Sequence, residues 1–391
     1  MTHLQKPVVI AYYASWKAPV YPVQQIPADQ LTHIYYAFAH VSADGLCVLG
    51  DPQLDLHQES GVQFGAGEGS LRGNFAALKH LKEQHPHLKI LISIGGWGAS
   101  QHFSPMAQTA ESRARFIDSA ISQFLLGSFP DIHPENAIGI FDGFDLDWEY
   151  PTEGGLEGNL HHPEDAQNFT LLMQEFRVAL DLLSQDTGQH YELSIAVAAA
   201  PKRITNDLHL KDLSEILERI NLMTYDFTGE VGPVTTFHNN LFAVEGAPFD
   251  LQYSTHLTVQ TALRLGVVPE KLVLGLPFYG RMWRGVNRDN NGLYQPNPGE
   301  FSDVDLSYRN LIDKYLVPES GFEPFYHLEA EVPYLFNPDS GEFITYENPR
   351  SIRSKVFYGK ARGLQGVMFW ELAQDNGELL NTIHQMLDKQ D

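Results

Sequence analysis

The stretch Phe141-Asp142-Gly143-Phe144-Asp145-Leu146-Asp147-Trp148-Glu149-Tyr150-Pro151 decides how the rest of the chain is read. Alternate residues of a strand share a face, so Asp145, Asp147 and Glu149 line up with neighbours ~6.6 Å apart. Ile140, Phe144, Leu146 and Trp148 form the opposite, apolar face. An apolar side under helices and a polar side looking inward is the pattern of a barrel strand. Gly143 removes a side chain from the inner face. Asp142 is out of phase with the other acids and is read as structural.

Working outward, seven more short apolar runs read as strands: Val8–Ala14, Thr32–Phe38, Lys89–Ile94, Glu192–Ala198, Arg219–Thr224, Lys271–Phe278 and Gly366–Trp370. Helical spacing lies between them, over Leu71–Glu83, Glu111–Leu126, Asp165–Leu183, Leu208–Leu217, Thr255–Leu265, Pro349–Arg362 and Asn376–Leu387. Eight alternations of strand and helix predict an α/β chain folded as a (β/α)8 barrel. The interval 281–346 breaks the rhythm. It is rich in Asn, Pro, Gly and aromatics, with strand-like pieces at Tyr334–Phe336 and Glu342–Tyr346. A structureless loop of that length is improbable. The expected organisation is a barrel from 1–280 and 347–391, with a small α+β insertion over 281–346 between strand 7 and helix 7.

Composition narrows the partners. The 391 residues hold 26 Lys+Arg against 49 Asp+Glu, a net charge of -23, which argues against nucleic acid and anionic membranes. A single cysteine, Cys47, excludes an intramolecular disulfide framework and a Cys-based zinc cluster. No apolar run reaches the ~18 residues of a membrane span. Aromatics at 12% suit either a large core or a groove that stacks sugar rings, and composition does not choose between them. The run Val8–Tyr13 reads as a strand and not as a leader. Export without a classical signal, a leader outside this stretch, and a cytoplasmic site all stay open.

Three aligned carboxylates push at least one pKa upward. A carboxylic acid that stays protonated at neutral pH is what general-acid cleavage of a glycosidic bond requires. Glu149 lies at the C-terminal end of its strand, where barrel active sites sit. A buried salt-bridge network and a divalent metal site are the alternatives for such a row.

Asp142–Glu149 resembles the Asp-x-x-Asp-x-Asp-x-Glu signature of family 18 glycoside hydrolases, and Trp148-Glu149-Tyr150-Pro151 looks like the chitinases within it. Ser93-Ile94-Gly95-Gly96-Trp97, Met223-Thr224-Tyr225-Asp226, Gly275–Arg281 and Gly366–Glu371 resemble further motifs of that family, each at the end of its own strand. The interval 281–346 is similar in size and place to the insertion of the deep-grooved chitinase subgroup.

The resemblance implies retaining, substrate-assisted hydrolysis of β-1,4 bonds between N-acetylglucosamine units, through an oxazolinium ion. Glu149 would be the general acid and base. Asp147 would orient the acetamido group, Asp145 would share a proton with Asp147, and Tyr225 would donate to the acetyl oxygen. Met223, Asp226, Trp97, Arg281 and Trp370 would line the sugar site, with Tyr12 and Ser93 behind the carboxylates. Tyr279 and Trp283 would be groove wall or simple packing. No metal or cofactor is implied; the partner is chitin or a chitooligosaccharide, and the expected state is a monomer. Val231 stands where many relatives carry an aromatic platform, which weakens the expected leaving-side binding.

The Gly65–Ser70 run follows no strand and lacks Gly-Lys-Ser/Thr, so it is read as a loop. His80, His85, His87, His161 and His162 are read as loop or helix-end residues. No Gly-x-Ser-x-Gly elbow occurs. The rival readings are an endo-β-N-acetylglucosaminidase on N-glycans and a non-catalytic chitin-binding lectin. The lectin reading is disfavoured because Glu149, Asp147 and Tyr225 are all present.

Overall fold

The apolar runs become strands in the computed structural model, which describes residues 6–229, 234–247, 253–296 and 304–388. In chain order they are Val8–Ala14 (β1), His33–Val41 (β2), Cys47–Leu49 (β3), Lys89–Gly95 (β4), Gly143–Asp147 (β5), Glu192–Ala198 (β6), Arg219–Met223 (β7) and Leu272–Pro277 (β8). Arg281–Trp283 (β9), Glu323–His327 (β10), Val332–Asn337 (β11), Glu342–Thr345 (β12) and Gly366–Trp370 (β13) follow. The main sheet runs β1-β13-β8-β7-β6-β5-β4-β2, with β3 as a hairpin partner of β2, and β1 also pairs with β2. That extra pairing closes the sheet into the expected (β/α)8 barrel. Val231 lies outside the described residues.

Residues 8–198 and 202–221 form one compact unit. Its strands β1, β2, β4, β5 and β6 pair in parallel. The register sets Ser93 of β4 and Ser194 of β6 on either side of Asp145 in β5. The outer face of β5 is apolar, as its alternation predicts. Phe144 packs on Phe176 at 4.8 Å between ring centroids, and Trp148 lies against Phe103 and Phe169 at 5.3 Å each. Phe169 and Phe176 belong to the helix Asp165–Thr187, which Gly188 ends in the left-handed conformation.

Asp142 pins the entry to β5. It accepts from Lys82 Nζ at 2.7 Å, Lys89 Nζ at 3.3 Å and the Ile90 amide at 2.8 Å. Gly143 has a reason beyond an empty inner face. Its φ is +154°, and a Cβ there would sit 2.0 Å from the Glu192 carbonyl oxygen. Backbone cannot yield as a flexible side chain can. Gly143→Ala is therefore expected to cost roughly 2–4 kcal/mol, read as a lowered urea midpoint. An unchanged midpoint would show that β5 and β6 can move apart.

The second unit takes most of residues 222–391. β13 and β8 pair in parallel, with Trp370 opposite Pro277. A separate antiparallel sheet runs β10-β11-β12-β9. Its buried face gathers Trp283, Val332, Tyr334, Phe336 and Phe343, with Phe237 and Leu293. Of the two readings of Trp283, packing is the one its surroundings fit: it is 1% exposed and meets Phe343 edge-on. Tyr294 packs against the same cluster. The helix Pro349–Ala361 starts at Asn348, whose side chain accepts the Arg350 and Ser351 amides at 3.0 Å. Behind it lies a buried ion pair. Lys355 Nζ bonds Glu347 Oε1 and the Asn239 carbonyl, while Ser351 Oγ donates to Glu347 Oε2.

Candidate active site

Asp145 is fully buried and has four donors. Tyr12 and Ser93 hydroxyls reach Oδ2 at 2.8 Å each. Ser194 Oγ reaches Oδ1 at 2.7 Å and Asn221 Nδ2 at 3.1 Å. A carboxylate offers about four acceptor sites. Burial pushes the Asp145 pKa up, and these donors oppose it. Four donors leave no lone pair for a proton, so the geometry keeps Asp145 ionised. All four partners are neutral, so no salt bridge holds this carboxylate. Tyr12 and Ser93 are buried and spend their hydroxyls on Asp145. They therefore stand behind the row, not in contact with a ligand.

Asp147, two residues on, is in the opposite condition. Its Oδ1 is buried and has no hydrogen-bond partner. Burial, then the charges of Glu149 and Asp145, raise its pKa well above the usual carboxylate range. These surroundings oppose the charged form of Asp147. The backbone here is clamped by glycines. The Gly96 amide donates to the Asp147 carbonyl at 2.8 Å, and a Cβ on Gly95 would meet that carbonyl oxygen at 2.3 Å.

Glu149 lies beyond the end of β5. Ser100 Oγ accepts its amide at 2.8 Å and itself donates to the Gly96 carbonyl at 2.9 Å. Asn159 Nδ2 donates to the Glu149 carbonyl at 2.8 Å. The motif of β4 and the acidic strand are thus locked together by Ser100. Trp97 is 51% exposed, with its ring edge-on to Tyr150 at 6.4 Å. An exposed indole beside a second ring is suited to a sugar face.

The other predicted residues belong to the second unit. Asp226 accepts the Arg281 guanidinium in a fork, Nε to Oδ1 at 2.8 Å and Nη2 to Oδ2 at 2.7 Å. The Tyr279 hydroxyl donates to the same Oδ2 at 2.8 Å. Burial acts to raise the Asp226 pKa, but His238 and Arg281 outweigh it and hold the carboxyl well below its ordinary value. The Asp226 and Arg281 side chains keep 40% and 38% of their surface, so the pair remains open to a ligand. Asp226 has φ +57°, a left-handed conformation that aspartate tolerates better than most. Tyr225 meets Tyr279 edge-on at 6.2 Å. Gly275 makes room for it: a Cβ there would lie 2.3 Å from the Leu222 carbonyl and 3.0 Å from the Tyr225 ring. Met223 is buried and Trp370 half-buried.

Several partners escaped the sequence reading. Ser194 and Asn221 lie in phase with the inward positions of their strands, a parity the apolar runs hide. Ser100 and Asn159 sit in loops with no local signal. His238 is buried with Nδ1 3.5 Å from Asp226 Oδ1, and neither ring nitrogen has a hydrogen-bond partner.

A row of buried carboxyls toward the C-terminal end of one strand of a (β/α)8 barrel fits the class of barrel glycoside hydrolases. The chain belongs to family 18 of the glycosyl hydrolases, whose model matches residues 8–375. It is 34% identical to chitinase A1 of Niallia circulans over 95% of this chain, and spans 57% of that relative's length. Among solved structures, chitinase ChiA74 from Bacillus thuringiensis matches with a TM-score of 0.86 and 34% identity, covering 98% of this chain and 70% of that one. A family 18 N-acetylglucosaminidase from Paenibacillus barengoltzii matches with a TM-score of 0.80 and 34% identity, over 97% and 99% of the two chains.

Proposed function

We propose that the protein is a chitinase, which hydrolyses β-1,4 bonds between N-acetylglucosamine units with retention. The observation that carries this is Asp147: a buried carboxyl with a raised pKa, one of whose oxygens has no hydrogen-bond partner, two residues after Asp145 and two before Glu149. Such an orphaned oxygen is costly unless a ligand answers it. An acetamido N–H is the matching donor.

Glu149 protonates the glycosidic oxygen. The substrate's acetamido carbonyl oxygen then attacks the anomeric carbon, the leaving sugar departs, and an oxazolinium ion forms. Glu149, now a carboxylate, takes a proton from water, which opens that ring from the same face. Asp147 orients the acetamido group, and Asp145 supports it, held by Tyr12 and Ser93. Tyr225 donates to the acetyl oxygen. Asp226, Tyr279 and Arg281 bind sugar hydroxyls, Trp97 and Trp370 offer flat surfaces, and Met223 packs against the sugar. The route uses water and no cofactor. Residues 1–280 and 347–391 form the catalytic barrel in this reading, and 281–346 an insertion that lengthens the substrate groove.

Chitooligosaccharides of defined length test it. Retained anomers and mainly dimeric products are expected. Fully deacetylated chitosan should bind without being cut, because it lacks the internal nucleophile. An inverted anomer, or efficient cleavage between two glucosamines, would sink the mechanism. The N-acetylglucosaminidase relative motivates a second reading, and release of single sugars from one end would favour it.

A further inference from the structure

A line of hydrogen bonds runs from a buried arginine to the carboxylate row, wholly within residues 8–198 and 202–221. Arg219, the first residue of β7, is 4% exposed. Its Nη1 donates to Glu192 Oε2 at 2.5 Å and to the Tyr35 hydroxyl at 3.0 Å. Tyr35 Oη lies 3.0 Å from Ser194 Oγ, which lies 2.7 Å from Asp145 Oδ1. Tyr35 and Ser194 are both fully buried.

Chemistry fixes the direction of each bond. A guanidinium only donates, so the Tyr35 oxygen accepts. Asp145, with all its sites filled, only accepts, so the single Ser194 proton points at it. The proton between Tyr35 and Ser194 is therefore the tyrosine's. Each hydroxyl is then a better donor because the group behind it donates in turn. Burial pushes the Tyr35 phenol up to about 12, so it keeps its proton throughout the working range.

We infer that Arg219 and Tyr35 are positioning residues for the proposed hydrolysis: acting through Ser194, they hold Asp145 as a carboxylate. The role rests on the function proposed above; the hydrogen-bond line does not. The other groups around this line are accounted for. Asp145 faces the neutral donors Tyr12, Ser93 and Asn221 and, along its own strand, Asp147. Arg219 faces Glu192, which His33 Nε2 approaches at 3.1 Å. Burial lowers the His33 pKa and favours its neutral form. Glu192 therefore balances the guanidinium, and the effect reaches Asp145 through bond direction, not through net charge.

The test is the acid limb of the kcat/KM profile, which reports groups of the free enzyme. Tyr35→Phe keeps the ring and deletes the link. With weaker donation the Asp145 pKa rises, its carboxylate is lost earlier as pH falls, and the acid limb moves to higher pH by roughly 0.5–1 unit. Carbon-13 NMR titration of the aspartate carboxyls should move the same way. Ser194→Ala should shift the limb further, and the double variant no further than Ser194→Ala alone. An acid limb that overlays the wild type, even with kcat reduced, overturns the inference, as do additive shifts in the double variant. Should Tyr35→Phe not fold, Arg219→Lys keeps the cation at Glu192 and loses the bond to Tyr35, and the same upward shift is expected; overlay again overturns it. If the wild type does not cleave chitooligosaccharides, the proposed function fails, while the NMR titration still decides the hydrogen-bond line.

Discussion

Glu149→Gln is expected to lower kcat on chitooligosaccharides by about 10²–10⁴-fold, the usual contribution of a general acid–base group. An amide cannot protonate the leaving oxygen, nor take a proton from water afterwards. The local fold should survive, because Glu149 is held by its backbone: Ser100 accepts its amide and Asn159 donates to its carbonyl. Oligosaccharide affinity should therefore stay within a few-fold of wild type. Calorimetric titration beside steady-state kinetics makes the comparison. Near-normal turnover would remove Glu149 from the mechanism, and a collapse of binding would mean that the variant disturbs more than a proton.

The second large effect concerns stability. Lys355 and Glu347 are both buried, with side-chain exposures of 0% and 1%. Burial pushes the Glu347 pKa up and the Lys355 pKa down, each partner opposing the shift of the other. Breaking such a pair from one side typically costs ~3–5 kcal/mol, since it strands a charge away from water. Lys355→Met should show that loss in urea unfolding at pH 7. The stranded carboxyl escapes by protonation, so its folded pKa stands above the unfolded value near ~4.3. The deficit is then largest above that raised pKa and shrinks as pH falls toward the unfolded one. The double change Lys355→Met, Glu347→Leu should recover most of the loss. A single variant within 1 kcal/mol of wild type would mean that water reaches the site.

How much of this was legible beforehand varies along the chain. β1, β6 and β13 begin and end where the apolar runs do, because turn residues mark both ends. β2 runs on to Val41, since a hairpin with Cys47–Leu49 extends it, and three residues carry too little pattern to announce a strand. β5 is shorter than its run. Asp142 is tied to lysines before it, and Glu149 is drawn off by Ser100 after it. The carboxylate row could be read because strand periodicity is written within one segment. The four donors to Asp145 could not, because they come from four other strands and depend on register between segments far apart in sequence. Trp283 shows the same limit. Its aromatic character suits a groove or a core equally, and only its pairing opposite Phe343 on β12 turns it inward.

The register that sets Ser93 and Ser194 beside Asp145 also makes the chemistry a proofreader of the fold. A slip of β5 by one residue would present Phe144 and Leu146 to the polar interior and turn both aspartates toward the helices. No half-slipped barrel could then be half active. Turnover per molecule should count correctly threaded barrels, much as a key counts only fully cut pins.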